Sequence, residues 1–126
     1  MQLPTRPVYL NLFRLHLPIT GWVSFLHRFS GALLFFMLPT LVWLFARSLT
    51  SEAEFARMTN YFAAPFAKLL MLMLVADLAL HFFAGLRHLA MDAHWGVALK
   101  NARLTSLVVL LATGVVALLA AWVLFG

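Results

Sequence analysis

One stretch of this 126-residue chain combines an apolar run with side chains that could bind a metal ion. Residues 81–92 read HFFAGLRHLAMD and follow directly on apolar residues. In an α-helix, four of them would share one face, because the last three follow the first by four, seven and eleven positions. They are His81, Gly85, His88 and Asp92. Gly85 leaves room for a flat ligand one turn from His81, which could then reach a metal inside that ligand. The alternative is a polar helix end at a membrane surface.

A second group of polar residues lies nearer the N terminus. Ser24 and Arg28 are one helical turn apart, and His27 is beside them. Together they provide a hydroxyl, an imidazole and a permanent cation, which suit a quinone carbonyl and haem propionates. The alternative is that His27 and Arg28 only anchor a helix at the lipid headgroups.

The composition places these groups in a membrane protein. Hydrophobic residues make up 64% of the chain and charged residues 10%. In soluble domains roughly half of the residues are apolar and about a quarter are charged. Three long apolar windows each follow a basic residue, and each is about long enough to cross the ~30 Å hydrocarbon core. The sequence therefore predicts an all-α integral membrane protein with a single membrane-anchor domain. The predicted membrane helices are residues 21–47, 65–92 and 103–125.

The remaining segments carry local signals. Three prolines and several basic residues in residues 1–20 predict a segment on the cytoplasmic surface. Ser51 and Glu54 form a capping-box pattern before a short surface helix over residues 52–61. Pro39 predicts a kink in the first membrane helix. A stripe of small residues predicts a packing face on the third; it comprises Gly114, Ala117 and Ala121.

Basic residues predict the orientation of the chain. The formal net charge is +5, but the cations flank the apolar windows instead of forming one patch, which argues against nucleic-acid binding. Six Lys and Arg residues lie on the N-terminal side of the membrane and three on the other. The six are Arg6, Arg14, Arg28, Arg87, Lys100 and Arg103, and the three are Arg47, Arg57 and Lys68. This asymmetry predicts a cytoplasmic N terminus and a periplasmic C terminus.

Two ionisable residues, Asp77 and His81, lie deep in the second window. His81 is six residues before Arg87 and therefore about 9 Å inside the boundary. Such residues cost about 2.5–3.5 kcal/mol to insert, so they usually face a bundle interior or have a function. With no cysteine in the chain, any metal must be bound by histidine or carboxylate. One deep histidine is half of a bis-histidine haem site, so another chain would supply the opposite ligand.

Two motifs resemble the cytochrome b-type membrane-anchor subunit family of bacterial succinate dehydrogenase. They are S-x-x-H-R-x-S-G at residues 24–31 and H-x-x-x-G-x-R-H-x-x-x-D at residues 81–92. Arg6-Pro7-Val8 and Pro18-Ile19-Thr20 add to the resemblance, which extends over residues 6–92. The pair of motifs at this spacing is specific, whereas either motif alone would be weak.

The resemblance implies a multi-pass subunit of the bacterial inner membrane. With a second hydrophobic anchor subunit it would hold the iron–sulfur and flavoprotein subunits and pass their electrons to ubiquinone. It would contain no succinate-oxidising centre of its own. Matched by position, His81 would be an axial ligand of haem b, Ser24 and Arg28 would line the quinone site, and His27 with Arg28 would approach the propionates. The matching cofactor-binding positions also include Gly85, His88 and Asp92.

Other functions remain open from the sequence. A fumarate reductase anchor would share the same motifs, because the reduction potentials of the flavoprotein and the quinone set the direction of electron flow. A small proton-coupled transporter could use Asp77 and His81 as a relay, and a structural anchor would need no cofactor. Asp77 departs from the family pattern. It could form a carboxylate–histidine–iron relay with His81, or it could hydrogen-bond a neighbouring helix.

Overall fold

Four α-helices make up the described part of the chain. The structure is a computed structural model that describes residues 17–126, so most of the predicted surface segment, residues 1–20, lies outside the described residues. The helices are α1 (Ile19–Ser48), α2 (Glu52–Ala63), α3 (Pro65–Asp92) and α4 (Leu99–Phe125). Three of them, α1, α3 and α4, are long and apolar enough to cross a membrane. This confirms the predicted all-α architecture with three candidate membrane helices.

The helix bounds differ from the predicted ones mainly in α4. The bounds of α3 coincide with the prediction, and Pro65 occupies its first turn, where its missing N–H costs nothing. In α1 the helix begins two residues early, directly after Pro18, and it continues unbroken through Pro39. In contrast, α4 begins at Leu99, four residues before the predicted start. The prediction took basic residues as a helix boundary, but they mark where the hydrocarbon ends, and a helix can continue beyond it.

The connection between α1 and α2 forms only half of the predicted capping box. The Ser51 hydroxyl oxygen accepts a hydrogen bond from the Glu54 N–H at 3.2 Å, as expected for an N-cap. The Glu54 carboxylate instead pairs with Arg47 at 3.0 Å and with Arg57 at 3.1 Å. The capping-box pattern therefore predicted the start of α2 but not the partners of Glu54.

The turn between α3 and α4 uses two residues in the left-handed region. After α3 ends at Asp92, His94 has φ 63° and Gly96 has φ 72°. Glycine adopts this conformation without steric cost. The Trp95 N–H donates to the Ala90 carbonyl at 2.9 Å, which satisfies one of the last carbonyls of α3. The turn brings α4 back against α3.

A small apolar core joins the three long helices. The α3 helix packs against both α1 and α4, and α1 also contacts α4. The buried core contains one residue from each long helix, namely Val23, Ala84 and Val109. Most large apolar side chains face outwards, as expected for helices in contact with lipid or other subunits.

Gly114, in the predicted small-residue packing face of α4, does not pack against another helix of the described chain. A Cβ added at Gly114 would have no atom of another residue within 4 Å among the described residues. The buried face of α4 instead carries Ala102, Ser106 and Val109. Small residues permit close approach but do not cause it, so the stripe alone did not identify the face that packs within this chain.

Candidate functional site

Three histidines come together where α1 meets α3. The rings of His27 on α1 and His81 on α3 are stacked, with centroids 4.4 Å apart and planes at 21°. The ring of His88, two turns along α3, is tilted against His27 with a centroid distance of 5.0 Å. The structure therefore groups all three histidines that the two motifs contain.

Two glycines allow this contact between the helices. A Cβ added at Gly31 on α1 would lie 2.9 Å from Cε1 of His81, which is closer than real Cβ contacts. A Cβ added at Gly85 on α3 would lie 3.3 Å from Nε2 of His27. Each glycine thus faces a histidine of the other helix. The expected open space beside Gly85 is occupied by the His27 ring in this structure, and the glycine that adjoins His81 is Gly31.

One ring nitrogen of His81 is held by α1. Its Nδ1 lies 3.0 Å from the Ser30 hydroxyl oxygen and 3.2 Å from the His27 carbonyl oxygen. A carbonyl oxygen can only accept a hydrogen bond, so Nδ1 carries the proton. The Ser30 hydroxyl donates to the same carbonyl at 2.8 Å and is therefore free to accept from Nδ1 through a lone pair.

This tautomer leaves the other ring nitrogen of His81 able to bind a metal. With the proton on Nδ1, Nε2 carries the lone pair, and it has no hydrogen-bond partner among residues 17–126. Metal-binding histidines usually have this arrangement, in which the second N–H donates to a carbonyl or another acceptor. The described residues contain no group of three or more potential metal ligands. His81 would therefore serve as a single ligand from this chain, which fits a haem iron but not a metal held by this chain alone.

The other predicted site residues are not hydrogen-bonded to this cluster. Arg28 and Asp92 are exposed and Ser24 is partly buried. Within the described part of the chain, these three side chains make no hydrogen bond. The cluster instead includes Ser30 and Gly31, to which the sequence reasoning assigned no role. They follow His27 by three and four positions, so helical periodicity could have placed them on its face.

Comparison with known proteins extends the similarity beyond the two motifs. Residues 2–121 match the family described as succinate dehydrogenase/fumarate reductase transmembrane subunit. The chain belongs to this family. It is 30% identical to the succinate dehydrogenase cytochrome b556 subunit of Coxiella burnetii, over 91% of this chain and 93% of that protein. It is also 30% identical to the succinate dehydrogenase cytochrome b560 subunit of Reclinomonas americana, over 95% of this chain and 86% of that protein.

Membership of the succinate dehydrogenase/fumarate reductase transmembrane subunit family explains the three apolar helices. The chain is a multi-pass membrane protein, and the match includes α4, which the two motifs do not reach. A transporter with Asp77 and His81 as a relay is not consistent with this membership.

Asp77 does not contact His81 in the way that a relay requires. Although Asp77 is one turn before His81 on α3, the Nδ1 atom of His81 is directed to Ser30 and to the His27 carbonyl. The Oδ2 atom of Asp77 is buried and has no hydrogen-bond partner among the described residues. The carboxylate–histidine contact of the relay hypothesis is therefore absent among the described residues, where α1 provides the acceptors for Nδ1.

A second polar contact joins α3 to α4. Arg87 is buried, with 7% of its surface exposed. Its Nε donates to the Thr105 hydroxyl at 3.2 Å and its Nη2 donates to the Ala102 carbonyl at 3.3 Å. Thr105 and Ser106 donate to the same carbonyl at 3.2 and 2.8 Å. No carboxylate pairs with Arg87 within residues 17–126.

Proposed function

We propose that this chain is the haem b-binding membrane-anchor subunit of a succinate:quinone oxidoreductase. The proposal rests mainly on the hydrogen bonding of His81. Its Nδ1–H donates to α1, so its Nε2 retains a lone pair within a membrane helix. Family membership supports it, since both relatives described above are named as cytochrome b subunits. In this function the chain passes electrons from an iron–sulfur subunit to ubiquinone in the respiratory chain and the tricarboxylic acid cycle.

In the proposed site His81 binds the iron through Nε2. A bound haem b would supply one-electron transfer at this position. This chain would provide one imidazole to the iron, and the second hydrophobic anchor subunit would provide the other ligand. The His27 ring adjoins the His81 ring, and the His88 ring adjoins His27. We assign His27 with Arg28 to the propionates. Gly85 and Asp92 complete the proposed cofactor-binding positions.

We assign quinone binding to Ser24 and Arg28 at the start of α1. The Ser24 hydroxyl forms a hydrogen bond with a quinone carbonyl, and the Arg28 guanidinium stabilises the negative charge that develops on the quinone oxygen during reduction. The exposure of Arg28 supports this role, because its donors remain available to a ligand. The two residues are one helical turn apart and can therefore act on the same head group.

The same proposal gives the chain an orientation and partners. The asymmetry of basic residues places the N terminus in the cytoplasm and the C terminus in the periplasm of a bacterial inner membrane. Ser24, Arg28 and His88 then lie towards the cytoplasm, where the iron–sulfur and flavoprotein subunits bind. The names of the relatives favour succinate oxidation over fumarate reduction.

One set of variants tests the proposal in the complex purified with its partner subunits. We expect His81→Leu to remove the low-spin haem signal from the reduced-minus-oxidised visible spectrum. His94→Asn is the matched control, because His94 is exposed beyond α3 and asparagine tolerates its positive φ. An unchanged spectrum in His81→Leu would contradict the assignment of the iron ligand.

The quinone assignment is tested with the same preparations. We expect Ser24→Ala and Arg28→Leu to slow quinone reduction while succinate oxidation with an artificial acceptor is retained. Ser48→Ala is the control, since Ser48 is on the opposite end of α1 and donates only to its own helix at the Phe45 carbonyl. Quinone reduction at the wild-type rate in both variants would place the quinone elsewhere.

A further inference from the structure

We propose that Ser30 is the positioning residue for His81, and that its hydroxyl and the His27 carbonyl together set the orientation and the electron-donating strength of the imidazole. This inference rests on the proposed haem function. Its subject is the contact between the buried Ser30 hydroxyl and the His81 ring.

The geometry of Ser30 supports this role. Its side chain is completely buried, and its hydroxyl lies between two partners of different kinds. The hydroxyl hydrogen goes to the His27 carbonyl at 2.8 Å, so a hydroxyl lone pair accepts the Nδ1 hydrogen of His81 at 3.0 Å. The same carbonyl lies 3.2 Å from Nδ1. Nδ1–H therefore has two acceptors, and these acceptors are joined to each other.

Gly31 lies beside the same edge of the His81 ring. Because Gly31 has no Cβ, the Cε1 edge of the His81 ring can approach the α1 backbone. The ring is thus held at Nδ1 by hydrogen bonds and limited at Cε1 by the backbone. These two restraints act on adjacent ring atoms, so they restrict rotation of the imidazole about its bond to Cβ.

Comparison with Ser106 shows that burial alone does not account for the Ser30 contact. Ser106 on α4 is also completely buried, and its hydroxyl donates to the Ala102 carbonyl one turn back at 2.8 Å. Ser106 therefore satisfies its hydroxyl within its own helix, as Ser30 does. Only Ser30 has a ring nitrogen of another helix at its lone pair. Ser106 is for this reason a matched control.

The hydrogen bonds to Nδ1 have a defined electronic consequence. An acceptor at Nδ1–H makes the imidazole a stronger donor through Nε2, which favours ferric over ferrous iron. Ser30 should therefore lower the reduction potential of the bound haem. The backbone carbonyl of His27 remains when Ser30 is replaced, so we expect a weaker restraint and not the loss of the ligand.

The experiment compares Ser30→Ala and Ser106→Ala in the complete complex. The readouts are haem content, the low-spin electron paramagnetic resonance spectrum and the haem midpoint potential from a redox titration. We expect Ser30→Ala to retain low-spin haem with shifted g values and a higher midpoint potential, whereas Ser106→Ala matches the wild type. Ser30→Cys should shift the potential in the same direction by less, because sulfur is a weaker acceptor.

Two results would overturn the inference. One is a wild-type potential and wild-type g values in either Ser30 variant that retains haem. The other is an equal shift in Ser30→Ala and Ser106→Ala, which would show that removal of any buried hydroxyl has the same effect. If Ser30→Ala loses haem, Ser30→Cys decides between these outcomes. Failure of the proposed function is distinguishable, because it would appear as low-spin haem retained in His81→Leu.

Discussion

The two faces of α3 use the same hydrogen-bonding scheme with different side chains. Towards α1, the Ser30 hydroxyl and a nitrogen of His81 both reach the His27 carbonyl. Towards α4, the Ser106 hydroxyl and a nitrogen of Arg87 both reach the Ala102 carbonyl. In each case a backbone acceptor of a neighbouring helix satisfies a polar group of α3 inside the bundle.

The difference lies in what each α3 side chain retains after this contact. Histidine uses one nitrogen as a donor and keeps a lone pair on the other, so His81 can still bind a metal. Arginine has only donors, so Arg87 has no acceptor to offer an iron. A buried polar residue in a membrane helix is therefore not sufficient evidence of a cofactor site. A lone pair that remains free after internal hydrogen bonding distinguishes the proposed site from a packing contact.

The largest expected loss of stability comes from removing the acceptor of Arg87. Thr105→Val keeps the side-chain shape but leaves the buried Nε–H of Arg87 without its partner. An unsatisfied buried donor costs about 1–3 kcal/mol, and a charged one lies at the upper end. We expect a lower thermal midpoint of the solubilised complex, with the haem midpoint potential unchanged.

Thr113→Val is the control for this substitution. Thr113 is on the same helix, and its hydroxyl donates to the Val109 carbonyl at 2.9 Å within that helix. Its replacement removes a hydroxyl without leaving a buried cation unpaired, so the thermal midpoint should remain close to the wild type. Equal losses in the two threonine variants would show that Arg87 does not depend on Thr105.

A smaller effect is expected from crowding the α1 side. In Gly31→Ala the new methyl group would lie 2.9 Å from Cε1 of a ring whose Nδ1 is fixed, so the ring must move. Overpacking of this kind costs about 1–3 kcal/mol. We expect a cost near the lower end, because the group that must shift is a side chain and not backbone. We expect shifted low-spin g values in addition to a modest loss of stability.

Gly114→Ala is the matched control on α4. A Cβ there meets no other residue among those described, so its contacts within this chain should not change. Unchanged g values in Gly31→Ala would contradict the contact between α1 and the His81 ring. The pair separates crowding at the ring from the general effect of adding a methyl group to a membrane helix.

The sequence predicted the long helices because they depend on neighbouring residues. Apolar windows that follow cations identified the three candidate membrane helices, and Pro65 identified the start of α3. The contact between Ser30 and His81 joins residues 51 positions apart, so it depends on how two helices pack, and periodicity within one helix does not contain that information. The same limit explains why Gly85 was assigned to a ligand and Gly31 to nothing. Helix pairing decides which histidine each glycine faces.

The smallest change in stability is expected from removing the Arg87 charge, which faces α4. Arg87→Met replaces a buried cation with an apolar side chain of similar length. It also leaves the Ala102 carbonyl with hydrogen bonds from Thr105 and Ser106. Replacing a buried ion pair with well-packed apolar groups is often neutral. We expect the same for this lone cation, because the lost hydrogen bonds are offset by the lost desolvation cost. We expect stability to change by less than about 1 kcal/mol on this basis.

This last expectation separates a packing contact from a functional one. Arg87 lies between His81 and Asp92 in the motif, so position in the sequence alone would include it in the cofactor site. Its described hydrogen bonds all go to α4, which predicts a normal haem spectrum and midpoint potential in Arg87→Met. The double variant Arg87→Met with Thr105→Val should be more stable than Thr105→Val alone, because the unpaired donor is gone. A shifted haem potential in Arg87→Met would instead mean that the guanidinium acts on the cofactor, and the distinction between the two faces of α3 would fail.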